Sequence, residues 1–384
     1  MEISIKIGKI SGIEIKINYS WLLIYALLTW SIAANYLPSQ FPDKSGTFYW
    51  SIGAISALAL FTSVLIHELA HSWVAQSNEM GIRSITLHFF GGVSELEDES
   101  KTPGIEMRMA AVGPITSLII GVVLVGTYTV LGEGVPDFLR AVLQYSGFTN
   151  LGLAFFNTIP AFPMDGGRVL RAFLWRRNND ILKATRWART ISIGISFVFM
   201  FLGFASLFIG AFGNGLWLVV LGIFLRSAAE AEMSHTIISE ALGDLKIKDI
   251  MTRDVIGIEP DLSLETAVTE YFQKYKHNGF PVVDDGELVG IVTDQDVREV
   301  DSDRRGVTSI ADVMRPRGEV ITVEPDDVAS DALLKMARND VGRLPVMEGG
   351  KMIGIVTRSD FTRSIKMKTQ LDKETSELAE ALNR

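Results

Sequence analysis

Cysteine is absent from this 384-residue chain, and histidine occurs only five times. The first absence excludes a disulfide framework, a thiol nucleophile and any thiolate metal site, though it fixes no cellular compartment. A basic face of the kind that binds nucleic acid is also missing, which removes nucleic acid from the partners to be considered. The net charge is −9 and is unevenly spread: residues 1–227 hold 16 Lys and Arg against 14 Asp and Glu, and residues 228–384 hold 20 against 31. What the chain has in abundance is apolar, with 48% hydrophobic residues and a mean hydropathy of +0.25, which rules out a disordered chain. At about 150 residues per domain the length predicts two to three domains. The charge split predicts a membrane domain followed by a soluble, acidic one. Met1 to Asn18 alternate apolar and polar residues around Gly8 and Gly12, and read as strands rather than as a cleavable leader.

A membrane-spanning helix takes about 20 mostly apolar residues. Six segments answer that description: Tyr19 to Leu37, Trp50 to Ala75, Met109 to Leu131, Phe138 to Phe156, Ile191 to Phe212, and a run from Leu216 that extends past Arg226 to Ala231. Alternate connections differ sharply in basic residues. One set carries Lys6, Lys9 and Lys16, then Arg83, Lys101 and Arg108, then seven Lys and Arg between Arg168 and Arg189, whereas the other carries Lys44, with Arg140 at a helix start. By the positive-inside rule this predicts a multi-pass protein of the cell membrane with both termini in the cytoplasm.

From Leu245 the pattern changes to a repeat. Residues 246–297 contain KIKDIMTRDVIGIEP and GFPVVDDGELVGIVTDQDV, and residues 309–361 contain SIADVMRPRGEVITVEP and GRLPVMEGGKMIGIVTRSDF. Each copy reads strand, helix, strand, turn, strand, helix, with the turns at Asp285-Gly286 and Gly349-Gly350. The doubled GIVT-x-x-D signature resembles a tandem pair of CBS domains, with boundaries at 245–300 and 308–364. Residues 366–384 alternate charges with Leu371, Leu378 and Leu382 and read as a solvated or loosely docked helical tail.

The chemistry is carried by the second apolar segment. No charge interrupts residues 53–66 before His67, Glu68 and His71, and ionisable groups at membrane depth default to a functional reading. On a helix His67 and His71 project from one face, where both imidazoles can hold one metal ion, and Glu68 lies beside them to handle a proton. The plainer alternative is a pair of histidines satisfied by hydrogen bonds within a helix bundle, at the added cost of burying Glu68. A catalytic zinc takes three protein ligands and keeps one position open for water. Asp165 is the candidate third ligand: Pro160 and Pro163 precede it and Gly166 and Gly167 follow, so the backbone is broken where a protein-lined cavity must satisfy it. The plainer reading, less favoured, is that Asp165 merely caps the basic helix that follows. Topology supports the pairing, since His67 lies 16 residues past Ser51, about 24 Å along a helix of 1.5 Å rise. Asp165 follows a span running in the same direction.

HELAH at 67–71 together with NTIPAFPMDGG at 157–167 resembles the site-2 protease family of intramembrane zinc metalloproteases, over roughly residues 1–230. The resemblance implies one Zn2+ per chain held by His67, His71 and Asp165, Glu68 as general base, and Asn157 at the active site polarising the scissile carbonyl. It implies membrane-spanning protein substrates within the lipid bilayer, and the architecture is similar to the branch of the family with CBS domains in place of PDZ domains. The CBS resemblance further implies adenine nucleotide (ATP, ADP or AMP) in the cleft between repeats, held by Thr293, Asp296, Thr357 and Asp360. The alternative is that both pairs merely cap helices. A homodimer through the CBS pair is expected on the same ground. The stretch Ile82 to Leu96 alternates like a strand pair, and reads either as an edge that receives an extended substrate or as a structural hairpin bent at Gly91-Gly92. His88, His235 and His277 have no partner at ligand spacing and are expected to be ordinary. The expected fold is a multi-pass α-helical membrane domain of about six spans with short N-terminal and inter-span β segments, followed by a soluble α+β tandem CBS pair. The rival architecture is a transporter or channel gated by a CBS tail, which has no need of HExxH plus a distal Asp.

Overall fold

The computed structural model describes residues 4–88, 91–96, 100, 102–243 and 245–371, and the chain divides into two compact units, Met1–Ser234 and His235–Arg384. In the first unit the alternating N-terminal residues form strands β1 (Ser4–Ile10) and β2 (Ile13–Asn18), paired antiparallel. Asn18 ends the second strand and caps the next helix, its side chain accepting from the Ser20 N–H at 2.9 Å, as a short polar side chain does for the unpaired amides of a first turn. Helix α1 (Tyr19–Gln40) passes through a π turn at Ile32–Tyr36, next to Pro38, which has no N–H to continue the α ladder.

Helix α2 (Gly46–Gln76) carries HELAH and is capped by Ser45. It leads into strands β3 (Ile82–His88) and β4 (Gly91–Leu96), an antiparallel hairpin. Because β2 and β3 pair in parallel, the four strands form one sheet in the order β1-β2-β3-β4. Ile13, Ile15 and Ile85 of this sheet are buried against Leu69 of α2, which seats the sheet on the helix that carries the candidate ligands.

Helices α3 (Pro103–Leu131), α4 (Asp137–Asn157), α5 (Asp165–Asn178), α6 (Ile181–Phe208) and α7 (Phe212–Leu242) complete the unit. Val123, Phe201 and Trp217 are 58%, 71% and 61% exposed on their helices. A continuous apolar surface of this kind is costly in water and favoured in hydrocarbon. Each of the six segments expected to span is helical over most of its length, and among the described residues five helices are long and apolar enough to cross a membrane. The departure is Phe138 to Phe156, which forms α4 but falls outside those five. One face of it is turned to protein and carries polar residues: Ser146 and Asn150 are buried, and the Asn150 amide donates to Ser63 Oγ of α2 at 3.0 Å. Gly121 of α3 and Gly147 of α4 let those two helices close on each other.

The second unit is built from two copies of one motif. Strands β5 (Gly279–Asp284) and β6 (Glu287–Thr293) pair exactly as β8 (Arg343–Glu348) and β9 (Lys351–Thr357) do, with every partner displaced by 64 positions; β7 (Arg315–Pro316) joins the first pair. Asp285-Gly286 and Gly349-Gly350 take positive φ in the two turns, the geometry that matches the twist of a tight hairpin. The opening strand expected in each copy shrinks to a single parallel bridge, Ile258 to Val282 and Val323 to Val346. Pro260 and Pro325 stand two residues further on and cannot donate to a longer ladder. One core gathers Ile258, Leu264, Phe280, Val282 and Val292. The other gathers Val323, Leu344, Val346 and Val356 with Ala241 and Leu242 from the end of α7. The helix Arg358–Leu371 runs into the stretch expected to be the tail, and 372–384 lie outside the described residues.

Candidate active site

Helical spacing brings His67 and His71 to one buried face of α2, and the break after α4 brings Asp165 to meet them. Their facing atoms form a nearly equilateral triangle: His67 Nε2 to Asp165 Oδ2 3.1 Å, His71 Nε2 to Asp165 Oδ2 3.3 Å, and Nε2 to Nε2 3.2 Å. Ligands bonded at 2.0–2.1 Å to a tetrahedral zinc stand about 3.3 Å apart, so the spacing of these three atoms is that of three corners around one such ion. The opposite ring nitrogens are already engaged. His71 Nδ1 donates to the Met109 carbonyl at 2.6 Å, and His67 Nδ1 lies 2.9 Å from Ser117 Oγ. A hydrogen bond at Nδ1 fixes the tautomer that leaves Nε2 with a free lone pair. The donor set therefore fits zinc.

Asp165 opens α5 at its first helical position, with Met164 as the cap residue and no side-chain cap present. Its carboxylate is turned to the histidines and does not close the helix end. The preceding loop is buried at Ala161 and Phe162, and the Phe162 N–H is satisfied by Ser192 Oγ of α6 at 2.9 Å, as irregular backbone at this depth requires. Gly166 and Gly167 lie under that loop: a Cβ on either would fall 2.4 to 2.6 Å from backbone atoms of residues 158, 159 and 161. The glycines are thus what allows the chain to fold back and present Asp165.

Glu68, half-buried beside the triangle, is covered by strand β4. A Cβ at Gly92 would sit 2.4 Å from Glu68 Cγ, so the outermost strand of the sheet passes directly over this carboxylate. Asn157 is at the end of α4, where its amide donates to the Leu153 carbonyl one turn back at 3.1 Å. It is near in sequence to Asp165 but does not share its contacts.

Sequence reasoning missed Gly113, Ser117 and the Met109 carbonyl, all on α3. A Cβ at Gly113 would lie 2.2 Å from His71 Nε2 and 2.7 Å from His67 Nε2, in the space that the two donor atoms share. It missed, too, a buried ion cluster behind the site. Arg171 of α5 donates to Glu106 of α3 at 2.6 Å and to Glu232 of α7 at 2.5 Å, and Glu106 is 1% exposed. The only sequence signal was an acidic residue three positions before the expected span Met109 to Leu131.

In the second unit a cleft of about 740 Å3 lies between the repeats, lined by Thr293, Asp296, Thr357 and Asp360. Both pairs also cap their helices, with Thr Oγ1 donating to Asp Oδ2 at 2.7 Å in each. The capping role is therefore real, and it leaves one oxygen of each carboxylate uncommitted to the cap. Arg343 crosses the cleft to donate to the Gly279 carbonyl. Burial pushes its guanidinium below the usual range, partly offset by Asp294, yet it stays a cation at neutral pH. His277, expected to be ordinary, lines the same cleft, stacked on Tyr275. His88 ends β3 opposite Gly91.

The family models that match are peptidase family M50, over residues 55–141 and 135–203, and the CBS domain, over residues 247–303 and 310–366. Rip3 of Mycobacterium tuberculosis is 34% identical over 368 residues, covering 95% of this chain and 93% of its own. Zinc metalloprotease MJ0392 of Methanocaldococcus jannaschii is 31% identical over 368 residues, covering 96% and 97%. Among solved structures, the site-2 protease from Methanocaldococcus jannaschii matches with a TM-score of 0.41 at 31% identity, over 60% of this chain and 95% of that one. The chain belongs to the site-2 protease family, peptidase family M50, with tandem CBS domains. It is a zinc metalloprotease of the membrane, and the transporter reading falls away.

Proposed function

We propose that this protein is an intramembrane endopeptidase that hydrolyses peptide bonds in membrane-spanning proteins, using His67, His71 and Asp165 to hold one zinc ion. The observation that carries this reading is the triangle of donor atoms at 3.1 to 3.3 Å, standing beside Glu68. Zinc, when bound, supplies Lewis-acid polarisation and a nucleophile at neutral pH. Glu68 takes the proton of the attacking water and returns it to the leaving amine. Asn157 turns from the Leu153 carbonyl to polarise the scissile carbonyl. Strand β4 is the edge of the sheet, and a substrate stretched along it by strand addition has its backbone beside Glu68, which answers the need to unwind a helix before cleaving it. Ser117 and Met109 hold the imidazoles in the tautomer that ligation needs.

In this reading residues 1–230 are the protease domain, 245–300 and 308–364 the CBS repeats and 366–384 a tail, with both termini cytoplasmic and the CBS pair a homodimer contact. The CBS cleft takes an adenine nucleotide, with Asp296 and Asp360 toward ribose hydroxyls and Thr293 and Thr357 toward phosphate. Such a ligand regulates cleavage only through unequal affinity for two arrangements of the tail. The decisive test is zinc content and cleavage of a single-span peptide by detergent-purified protein, wild type beside Glu68→Gln. One zinc in both with cleavage in wild type alone supports the assignment; cleavage by Glu68→Gln at the wild-type rate overturns it. Unchanged turnover at saturating ATP or AMP overturns the regulatory part.

A further inference from the structure

Two separate bodies must meet for the triangle of donor atoms to close. The imidazoles belong to α2 and are oriented from α3, by the Met109 carbonyl and Ser117 Oγ. The carboxylate belongs to α5, where Asp165 stands at the first helical position with no side-chain cap to steady that end. The separation of carboxylate and imidazoles is therefore set by whatever ties α5 to α3.

Arg171 makes such a tie. It lies six positions after Asp165 on α5, about 9 Å along the axis, and its Nε donates to Glu106 Oε1 at 2.6 Å. Glu106 stands three positions before Met109, one turn from the carbonyl that holds His71. One ion pair thus fixes the helix that carries Asp165 to the turn of α3 that orients His71. The same guanidinium reaches two further elements. Its Nη1 donates to Glu232 of α7 at 2.5 Å, and its carbon lies 5.5 Å from the centre of the Phe162 ring, in the loop that leads into Asp165. Phe162 in turn packs with Ala188 of α6 and Ala229 of α7. The tie is also dry: the Arg171 and Glu106 side chains are 11% and 1% exposed, and among the described residues Glu106 Oε2 has no hydrogen-bond partner. Desolvation makes a buried ion pair a poor source of stability, and its best-attested use is to select one arrangement over others.

We propose that Arg171 is a positioning residue for the metal: it locks α5 against α3 so that Asp165, His67 and His71 keep the separation that one zinc ion needs. The inference rests on the zinc protease reading and adds to it a residue that touches neither metal nor substrate. A metal site tolerates about 0.2 Å in ligand distance, so slack between these two helices is felt at the zinc even where the fold absorbs it.

The test compares stability with zinc affinity in the full-length protein. Arg171→Met combined with Glu106→Gln removes the tie without leaving a buried charge, so thermal unfolding returns close to that of wild type. Zinc affinity of this double variant, read by chelator competition, is expected to stay about tenfold below wild type, and kcat on a single-span peptide falls with it while KM holds. A cluster that serves the fold alone predicts that zinc affinity recovers together with the unfolding temperature, and that result overturns the proposal. Arg171→Lys keeps a cation opposite Glu106 and so folds independently of the double variant. Its ammonium lacks the planar fork that meets two carboxylates at once, and zinc affinity is expected to fall about fivefold; wild-type affinity there also overturns the proposal. Arg189→Met is the control, since it breaks the 2.6 Å pair with Glu230 between α6 and α7, a pair that includes neither α3 nor α5. Its zinc affinity is expected to be that of wild type, and a tenfold loss would mean general loosening and overturn the proposal. Wild-type cleavage of the single-span peptide, run in parallel, tests the protease reading separately, because the zinc comparison does not depend on it.

Discussion

The sharpest prediction concerns Gly113→Ala, a change that adds one methyl group to a helix. Judged by propensity alone it stabilises α3 by about 1 kcal/mol, and Pro114 beside it already limits how the helix can adjust. Its Cβ, however, would lie 2.2 Å from His71 Nε2 and 2.7 Å from His67 Nε2. Ordinary contact is about 3.4 Å or more, so the His71 ring must retreat by about 1.2 Å. Its other nitrogen is held by the Met109 carbonyl at 2.6 Å on the same helix, which leaves it little room. Metal sites tolerate about 0.2 Å in ligand distance, and a misplacement of 1 Å costs about 100-fold in rate. Gly113→Ala is therefore expected to lower zinc affinity and peptidase activity by about two orders of magnitude. Zinc affinity is read by chelator competition and cleavage on a single-span peptide. Gly126→Ala on the same helix, where a Cβ meets nothing within 4 Å, is the control and changes neither. Wild-type zinc affinity in Gly113→Ala would refute the reasoning.

Three further outcomes are expected. Gly92→Ala pushes a methyl group onto Glu68 Cγ and lowers kcat by at least about tenfold with zinc content unchanged, because a general base acts only within hydrogen-bond reach; metal analysis beside kinetics separates it from Gly113→Ala. Ser117→Ala removes the partner of His67 Nδ1 and weakens zinc binding about 10- to 100-fold, the usual cost of losing such a contact, which chelator competition measures. Arg171→Met leaves the Glu106 carboxylate buried without its cation and destabilises the protein by about 3–5 kcal/mol. Adding Glu106→Gln recovers most of that loss in thermal unfolding, and no recovery in the double variant would contradict the pairing.

How much of this was legible in advance depended on the distance over which each signal acts. HELAH could be read because the α-helix places residues four apart on one face, whatever surrounds it. Asp165 could be read because prolines and glycines write a chain reversal into the sequence itself. The CBS pair could be read because repetition shows without any structure. Helix α4 was harder: its Ser146 and Asn150 look unfavourable in a span until Ser63 of another helix is found opposite. The opening strands of the repeats were over-read, since a β-branched run beside Pro260 or Pro325 makes one bridge and no ladder.

Sequence alone determined the two units, the class of chemistry and the residues that can ligate metal, since periodicity, composition and local turn chemistry are properties of neighbours along the chain. Only the tertiary structure decided which atoms share one small space. Ser117 and His67 are 50 positions apart, Asp165 and His67 98 apart, and Gly92 and Gly113 carry no side chain by which sequence could show what they face. Their role is the room they leave for Glu68 and for the two imidazoles, and room is defined only when helices and strands distant in the chain have closed around it.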